Sequence, residues 1–318
     1  MTPREYLYDG PEVTSIAAAL PWFLRTAWRL WRRRGVWTGG RARDAVVIVH
    51  GDTFSTLLGA LVGKLAGCRV AHVESGLRSF NVLHPFPEEL TRILTFRLSD
   101  FGYCPGEWAC SNARRAGVST VIDTHANTLL DALRVATSGS PSAHSPIEDG
   151  FILVSIHRFE NLFSGERLTS ILNFIESLAQ KNRVVFVLHP STRQRLAALG
   201  LLEHLRENAN IELNDRMSYV PFMRLASRAR LVVTDGGSNQ EEMSYLGIPT
   251  VLMRMETERQ EGIGGNVLLG RYDFEKIRDF AADALNRTTP AAFELPYERP
   301  SEVIMAHLDG VLSGAPDA

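Results

Sequence analysis

The 318-residue sequence predicts an α/β protein built from two doubly wound parallel-sheet domains. Three observations lead there. From residue 45 onward, short β-branched runs alternate with longer helical patterns, the mark of βαβ units around a parallel sheet. A Ser- and Pro-rich stretch at 137–149, without apolar periodicity, interrupts the alternation, which then resumes. The chain is also too long for one ordinary core, since domains typically hold roughly 100 to 200 residues.

In the first half, strands are expected at 45–50, 69–73, 100–104 and 120–124, with helices at 53–66, 87–98, 107–116 and 127–135. In the second, strands are expected at 151–156, 184–189, 211–213, 231–234 and 250–253, with helices near 166–180, 191–199, 219–228 and 240–246. A last helix at 300–312 has no assigned docking place. The expected division is therefore a first domain at 1–137, a linker at 138–149, a second domain at 150–299 and a terminal helix and tail at 300–318. Ligands of open α/β sheets sit beyond the carboxyl ends of the strands, so the two sets of strand ends are expected to face a cleft. Ahead of residue 45 stand only a polar, turn-like opening and an amphipathic helix at 16–34. A first domain of this size makes an absent amino-terminal piece the expectation.

Composition narrows the class. Hydrophobic residues at 45% and charged residues at 22% match a soluble globular protein. A formal net charge of -2 makes no case for a nucleic-acid or membrane partner, so an anionic ligand needs a local site. The most apolar early stretch, 16–31, is broken by Pro21, Arg25 and Arg29 and is too short to span a bilayer. A membrane-surface role for this helix, which ends in Arg32, Arg33 and Arg34, is the lesser reading. Three cysteines form neither a CxxC pair nor a disulfide-like spacing, which fits a reducing cytoplasm.

The strongest chemical signal runs from Thr234 to Glu242, where a strand ends and a helix begins. Gly236 and Gly237 let backbone N–H groups approach an anion, and the helix amino terminus adds partial positive charge, which suits a pyrophosphate. Glu242 stands about one turn inside the helix, placed to accept hydrogen bonds from a ribose diol. The plainer alternative is a tight turn in which Asp235 or Ser238 only caps the helix. Asp52 in His50-Gly51-Asp52-Thr53, Glu74 in the 72–78 segment and Glu88 at the next helix start are three acidic groups expected on one rim. Singly, Asp52 reads as a cap and Glu88 as a helix-dipole partner; together they can divide acid and base roles. His157-Arg158 and His189-Pro190 follow strands in the second half and add donors for phosphate. No cluster has metal-ligand spacing, and neither a metal nor a cofactor is expected.

Taken in order, these motifs resemble the non-hydrolysing UDP-N-acetylglucosamine 2-epimerases. The matching stretches are GDT at 51–53, HVESGLR at 72–78, PFPEE at 85–89 with Arg92, Asn127-Thr128 with Asp131, HRFEN at 157–161, LHP at 188–190, YVPF at 219–222, the Gly-rich site at 236–242 and Thr257-Glu258-Arg259. The resemblance implies the GT-B arrangement of two Rossmann-like domains and isomerisation at C2 of the sugar, through elimination of UDP to a 2-acetamidoglucal and its re-addition. It implies catalytic roles for Asp52, Glu74, Glu88 and His157. It places Arg92, Arg158, His189, Phe222, Gly236, Gly237, Ser238, Glu242 and Arg259 around a UDP-sugar substrate, with Phe222 near the uridine. A homodimer stays open as a partner.

Three departures accompany the resemblance. The family's opening strand and Gly-Thr-Arg-Pro-Glu loop have no counterpart in the matched stretch. The common Ser-Gly-Gly order is Gly236-Gly237-Ser238 here, and Ala126 precedes Asn127 where Gly is usual. Phe159 stands where a second Arg is common. The alternatives kept beside an epimerase are a GT-B glycosyltransferase or hydrolysing epimerase using the same UDP site, and an inactive UDP-sugar binding protein.

Overall fold

The computed structural model of the protein describes residues 16–81, 88–138, 150–287 and 295–313, with side chains from residue 20 onward. Most of the expected linker and the 85–87 part of the PFPEE segment lie outside the described residues. Two compact units emerge, one formed by the chain up to Thr128 together with the part from Glu298 onward, the other by Leu129–Tyr297.

In the first unit, helices α1 (Ile16–Arg32) and α2 (Arg34–Trp37) precede the strands β1 (Val46–His50), β2 (Arg69–Val73), β3 (Phe101–Cys104) and β4 (Thr120–Asp123). These strands pair in parallel in the order β1-β2-β3-β4. Helices α3 (Phe54–Ala66), α4 (Glu88–Leu98) and α5 (Glu107–Ala116) make the crossovers. Thr53 caps α3 by accepting from the Thr56 N–H, and Gly67 ends it in the left-handed conformation. β2 and β3 are buried because helices cover both faces, and their apolar runs follow from that.

The second unit begins with α6 (Leu129–Thr137), assigned from sequence to the first domain. Its buried Leu133 and Ala136 pack with Met223, Ala226 and Met243 of the second unit. The strands β5 (Ile152–Ser155), β6 (Val184–Leu188), β7 (Ile211–Asp215), β8 (Leu231–Thr234), β9 (Thr250–Leu252) and β10 (Val267–Leu269) form one parallel sheet in the order β10-β9-β8-β5-β6-β7. Helices α7 (Phe159–Leu162), α8 (Gly165–Ala179), α9 (Pro190–Ala198), α10 (Leu201–Glu207), α11 (Tyr219–Ala226), α12 (Gly237–Tyr245) and α13 (Phe274–Asn286) link and cover it. One core, with Ile171, Ile175, Phe186 and Ile277, lies on one face; a second, with Leu153, Val187 and Val232, lies on the other. β5, β6 and β8 sit between them and are buried at every residue, which is why they read as unbroken apolar runs.

The sequence reading missed β10, α7, α10 and α13. β10 is three residues long, too short for periodicity to register, and depends on pairing with β9. The final helix α14 (Pro300–Ser313) docks on the first unit. Ile304, Leu308 and Val311 cover Val73, Phe101 and Tyr103, and the Tyr103 hydroxyl meets His307 Nδ1 at 2.8 Å.

Between β2 and α4 the chain turns sharply at Gly76, whose φ is +83°. A Cβ there would stand 2.0 Å from the Ala109 carbonyl oxygen of α5, and Asn112 Nδ2 donates to the Gly76 carbonyl at 3.0 Å. The turn that carries Glu74 is thus clamped to α5. Gly76→Ala is expected to combine left-handed strain with a backbone clash and cost about 3 kcal/mol or more in urea unfolding. A loss below about 1 kcal/mol would contradict the clamp.

Candidate functional site

In both units the candidate residues gather at the carboxyl ends of the parallel strands, where helix amino termini and backbone N–H groups also point. In the first unit the turn after β1 carries Asp52. Thr53, not Asp52, caps α3, so the capping role suggested for Asp52 is not the one it plays. Its carboxylate instead meets the buried Arg92 guanidinium at 2.5 Å. Arg92 also contacts Glu89 at 3.2 Å, and Glu89 binds Arg78 and accepts the Ser79 N–H at 3.0 Å. Burial alone would raise the Glu89 pKa, but the Arg78 bond, the Ser79 N–H and the charge of Arg92 outweigh it and hold the carboxyl below its ordinary range.

Two further groups fix the Asp52 turn. His72 is fully buried on β2 and its Nε2 meets the Gly51 carbonyl at 2.9 Å. Desolvation lowers its pKa to about 4, so it is a neutral prop. The Thr91 hydroxyl reaches the carbonyl oxygens of both Asp52 and Glu88, tying the β1 turn to the start of α4. Glu88, the first residue of α4, is half-buried there, a position that also favours the helix dipole.

Glu74 follows β2 with φ at 65°, a left-handed conformation costly for a residue with a Cβ. Asn127 Nδ2 donates to Glu74 Oε1 at 2.9 Å, and His50 Nε2 lies 3.7 Å from Oε2. The three predicted carboxylates therefore do occupy one edge. What the sequence reading lacked was the partners that aim them, His50, His72, Thr91 and Asn127, along with the Glu89–Arg78 pair. At the ends of β3 and β4, Glu107, Cys110 and Asp123 bring potential metal-ligand atoms within 4.8 Å of one another, a grouping the spacing did not suggest. There Asp123 Oδ1 already accepts the Gly106 and His125 N–H groups, and Glu107 pairs with Arg114.

In the second unit the site is built around the start of α12. Gly236 is its N-cap and no side chain caps it, so neither Asp235 nor Ser238 plays the capping role. The first N–H groups of the helix are left for a ligand. Side chains crowd both glycines: a Cβ at Gly236 would lie 2.7 Å from Asn239 Oδ1 and 3.3 Å from His157 Cε1, so those side chains would have to give way. At Gly237 it would lie 2.9 Å from Glu258 Oε1 and 3.2 Å from Arg259 Nε. Around this seat, Arg259 pairs with the buried Glu241, and Arg254 with Glu258 at 2.8 Å. Both arginines are held by carboxylates beside the place where an anion would sit.

His157 lies against the same seat. Asp235, with no exposed surface, accepts the His157 N–H at 3.0 Å, the Arg158 N–H at 2.9 Å and Asn161 Nδ2 at 2.8 Å. His189, the N-cap of α9, stacks on His157 with centroids 4.3 Å apart. Burial, then the charges of His157 and Arg216, lower the His189 pKa to about 4. Arg158 is an expected phosphate donor, and here its Nε meets Glu160 at 2.7 Å. Phe222 is half-buried on α11, packed against the core beneath.

Glu242 is buried one turn into α12, and the Tyr219 hydroxyl bonds it. Desolvation pushes its pKa from the ordinary 4.5 up to about 7, opposed by that bond and by Arg259. A raised carboxyl pKa favours the folded state only while the group is protonated. Its contribution is complete below pH 4.5 and is lost as pH rises through about 7. Glu242→Gln removes that slope. In urea titrations the parent should lose about 3 kcal/mol relative to the variant between pH 4 and pH 8. Parallel curves across that range would show that Glu242 ionises normally.

The sequence profile described as UDP-N-acetylglucosamine 2-epimerase matches residues 40–303. The UDP-N-acetylglucosamine 2-epimerase of Methanocaldococcus jannaschii is 36% identical over 243 residues, which are 72% of this chain and 66% of that protein. The UDP-2,3-diacetamido-2,3-dideoxy-D-glucuronate 2-epimerase of Pseudomonas aeruginosa is 39% identical over 253 residues, 76% of this chain and 68% of that one. The structure of the M. jannaschii UDP-GlcNAc 2-epimerase in complex with UDP-GlcNAc and UDP superposes with a TM-score of 0.75 at 30% identity, covering 89% of this chain and 80% of the other. The chain thus spans about two thirds of the length of these two relatives. With the profile matched across most of its length and both parallel-sheet units in place, the chain belongs to the UDP-N-acetylglucosamine 2-epimerase family.

Proposed function

We propose that this chain interconverts UDP-N-acetylglucosamine and UDP-N-acetylmannosamine by eliminating UDP and adding it back. The observation that carries the reading is the carboxylate edge of the first unit, with Asp52 aimed by Arg92 and Glu74 by Asn127. A carboxylate takes the C2 proton, the C2–H electron pair forms the C1=C2 bond, and the C1–O bond breaks with its pair leaving on UDP. Re-addition reverses these steps with the proton delivered to the opposite face of C2, which asks for more than one acid–base group. The C2 proton is weakly acidic, so stabilising the departing diphosphate matters as much as the base. The uncapped α12 start, with Arg254 and Arg259 beside it, supplies that stabilisation.

Incubation with UDP-GlcNAc in D2O tests the proposal, with deuterium at C2 of both epimers as the expected result. The Pseudomonas relative, at 39% identity, brings UDP-2,3-diacetamido-2,3-dideoxy-D-glucuronate into the same assay as a second substrate. The chemistry at C2 is the same. Absence of exchange with either nucleotide sugar would sink the epimerase reading. UDP released only when an acceptor is present would favour a glycosyltransferase, and free ManNAc a hydrolysing epimerase.

Asp52→Asn and Glu88→Gln should each slow C2 exchange by roughly 10²- to 10⁴-fold while UDP affinity, measured by calorimetry, stays near that of the parent. Glu242→Ala should instead weaken UDP binding by about 1.5 to 3 kcal/mol.

A further inference from the structure

We infer that Asp235 is the positioning residue for His157, holding its Nδ1 so that Nε2 is the nitrogen presented at the anion seat of α12. Its kinetic part rests on the function proposed above; its structural part does not.

Asp235 lies in the turn between β8 and α12, and its carboxylate is completely buried. Its Oδ1 is 3.2 Å from His157 Nδ1, and the same carboxylate accepts the His157 backbone N–H at 3.0 and 3.1 Å. Backbone and ring of one residue are thus fixed by one anion. The hold is rigid because Arg158 N–H and Asn161 Nδ2 also bind Asp235, and Asn161 is in turn gripped by the Met253 carbonyl at 3.0 Å and the Tyr272 hydroxyl at 2.5 Å. His157 Nδ1 is buried and has no aligned hydrogen-bond partner, while about a third of the side chain, 32%, remains exposed. The exposed part of the side chain therefore excludes Nδ1. Cε1, between the two nitrogens, is the His157 atom that a Cβ on Gly236 at the helix start would meet, at 3.3 Å. The face of the ring rests on His189, whose lowered pKa keeps the stack from carrying two charges.

Asp235 Oδ1 lies 3.2 Å from Nδ1 without the alignment of a hydrogen bond, and a carboxylate at that distance favours the tautomer with its proton on Nδ1, so that whatever proton the ring gains or gives up sits on Nε2. Nε2–H donates to the departing diphosphate oxygen as the C1–O bond breaks, and takes the same position back on re-addition. The arrangement is that of an aspartate behind a catalytic histidine, where changing the carboxylate to an amide inverts the tautomer and lowers kcat by about 10⁴.

Two measurements test it. In ¹⁵N-labelled protein, with His157→Asn used to assign the ring, His157 should carry its proton on Nδ1, and on Nε2 in Asp235→Asn. Asp235→Asn should lower kcat by roughly 10²- to 10⁴-fold with KM little changed, and the Asp235→Asn/His157→Asn double variant should be no slower than His157→Asn alone. An Nε2–H tautomer in the parent protein would overturn the inference even if Asp235→Asn failed to fold. So would losses in the double variant that multiply, since they would leave Asp235 only a scaffold for the loop. If the parent shows no turnover at all, the epimerase reading fails, and the tautomer alone decides this one.

Discussion

A carboxylate with no solvent contact costs several kcal/mol unless donors replace its water, and the second unit is arranged around satisfying one such group. Asp235 draws in the two backbone N–H groups after β5 and the Asn161 amide, and Asn161 joins the Met253 carbonyl and the Tyr272 hydroxyl. Segments that follow β5, β8, β9 and β10 thereby meet at one anion. Removing its negative charge would leave several buried donors without an acceptor at once. The seat at α12 rests on this buried carboxylate, whose donors hold the surrounding turns in place.

The first unit solves the opposite problem with alternating charge. Arg78, Glu89, Arg92 and Asp52 form a chain of ion pairs whose inner members, Glu89 and Arg92, are buried and whose ends, Arg78 and Asp52, are partly exposed. Each inner member touches two of opposite sign, so Asp52 meets a guanidinium already oriented by Glu89. Such a chain contributes little to net stability relative to an apolar core, because desolvation consumes most of the attraction. What it supplies is direction, along with a fixed distance between the β1 turn and the α4 start that the Thr91 hydroxyl reinforces.

Strands such as Val184–Leu188 and Leu231–Thr234 were readable because burial on both faces demands unbroken β-branched runs. The placement of Asp52, Glu74, Glu88 and the Gly pair at strand ends was readable as well, although each alone also fits a cap, a dipole partner or a tight turn. The roles of Asp235 and Asp52 were not. In sequence each sits where a helix cap belongs, and only the fold shows Thr53 and Gly236 taking those places. Tyr272 carries no local signal, and Asn127, Asn161 and Tyr219, although they fall in the matched motifs, take their roles from partners far along the chain or from burial. α6 was assigned to the wrong side of the linker because an amphipathic helix shows which face it buries, not against which sheet.

The docking of α14 sets an order on how the protein is made. Leu129–Tyr297 is one continuous segment and can fold as soon as it leaves the ribosome. The first unit cannot finish, because Val73, Phe101 and Tyr103 wait for Ile304, Leu308 and Val311, which are synthesised only after the whole second unit. Throughout translation of the second unit the first carries an open apolar face that aggregation or a chaperone can reach. A nascent chain stalled before Pro300 therefore holds a completed second unit and an unsealed first unit.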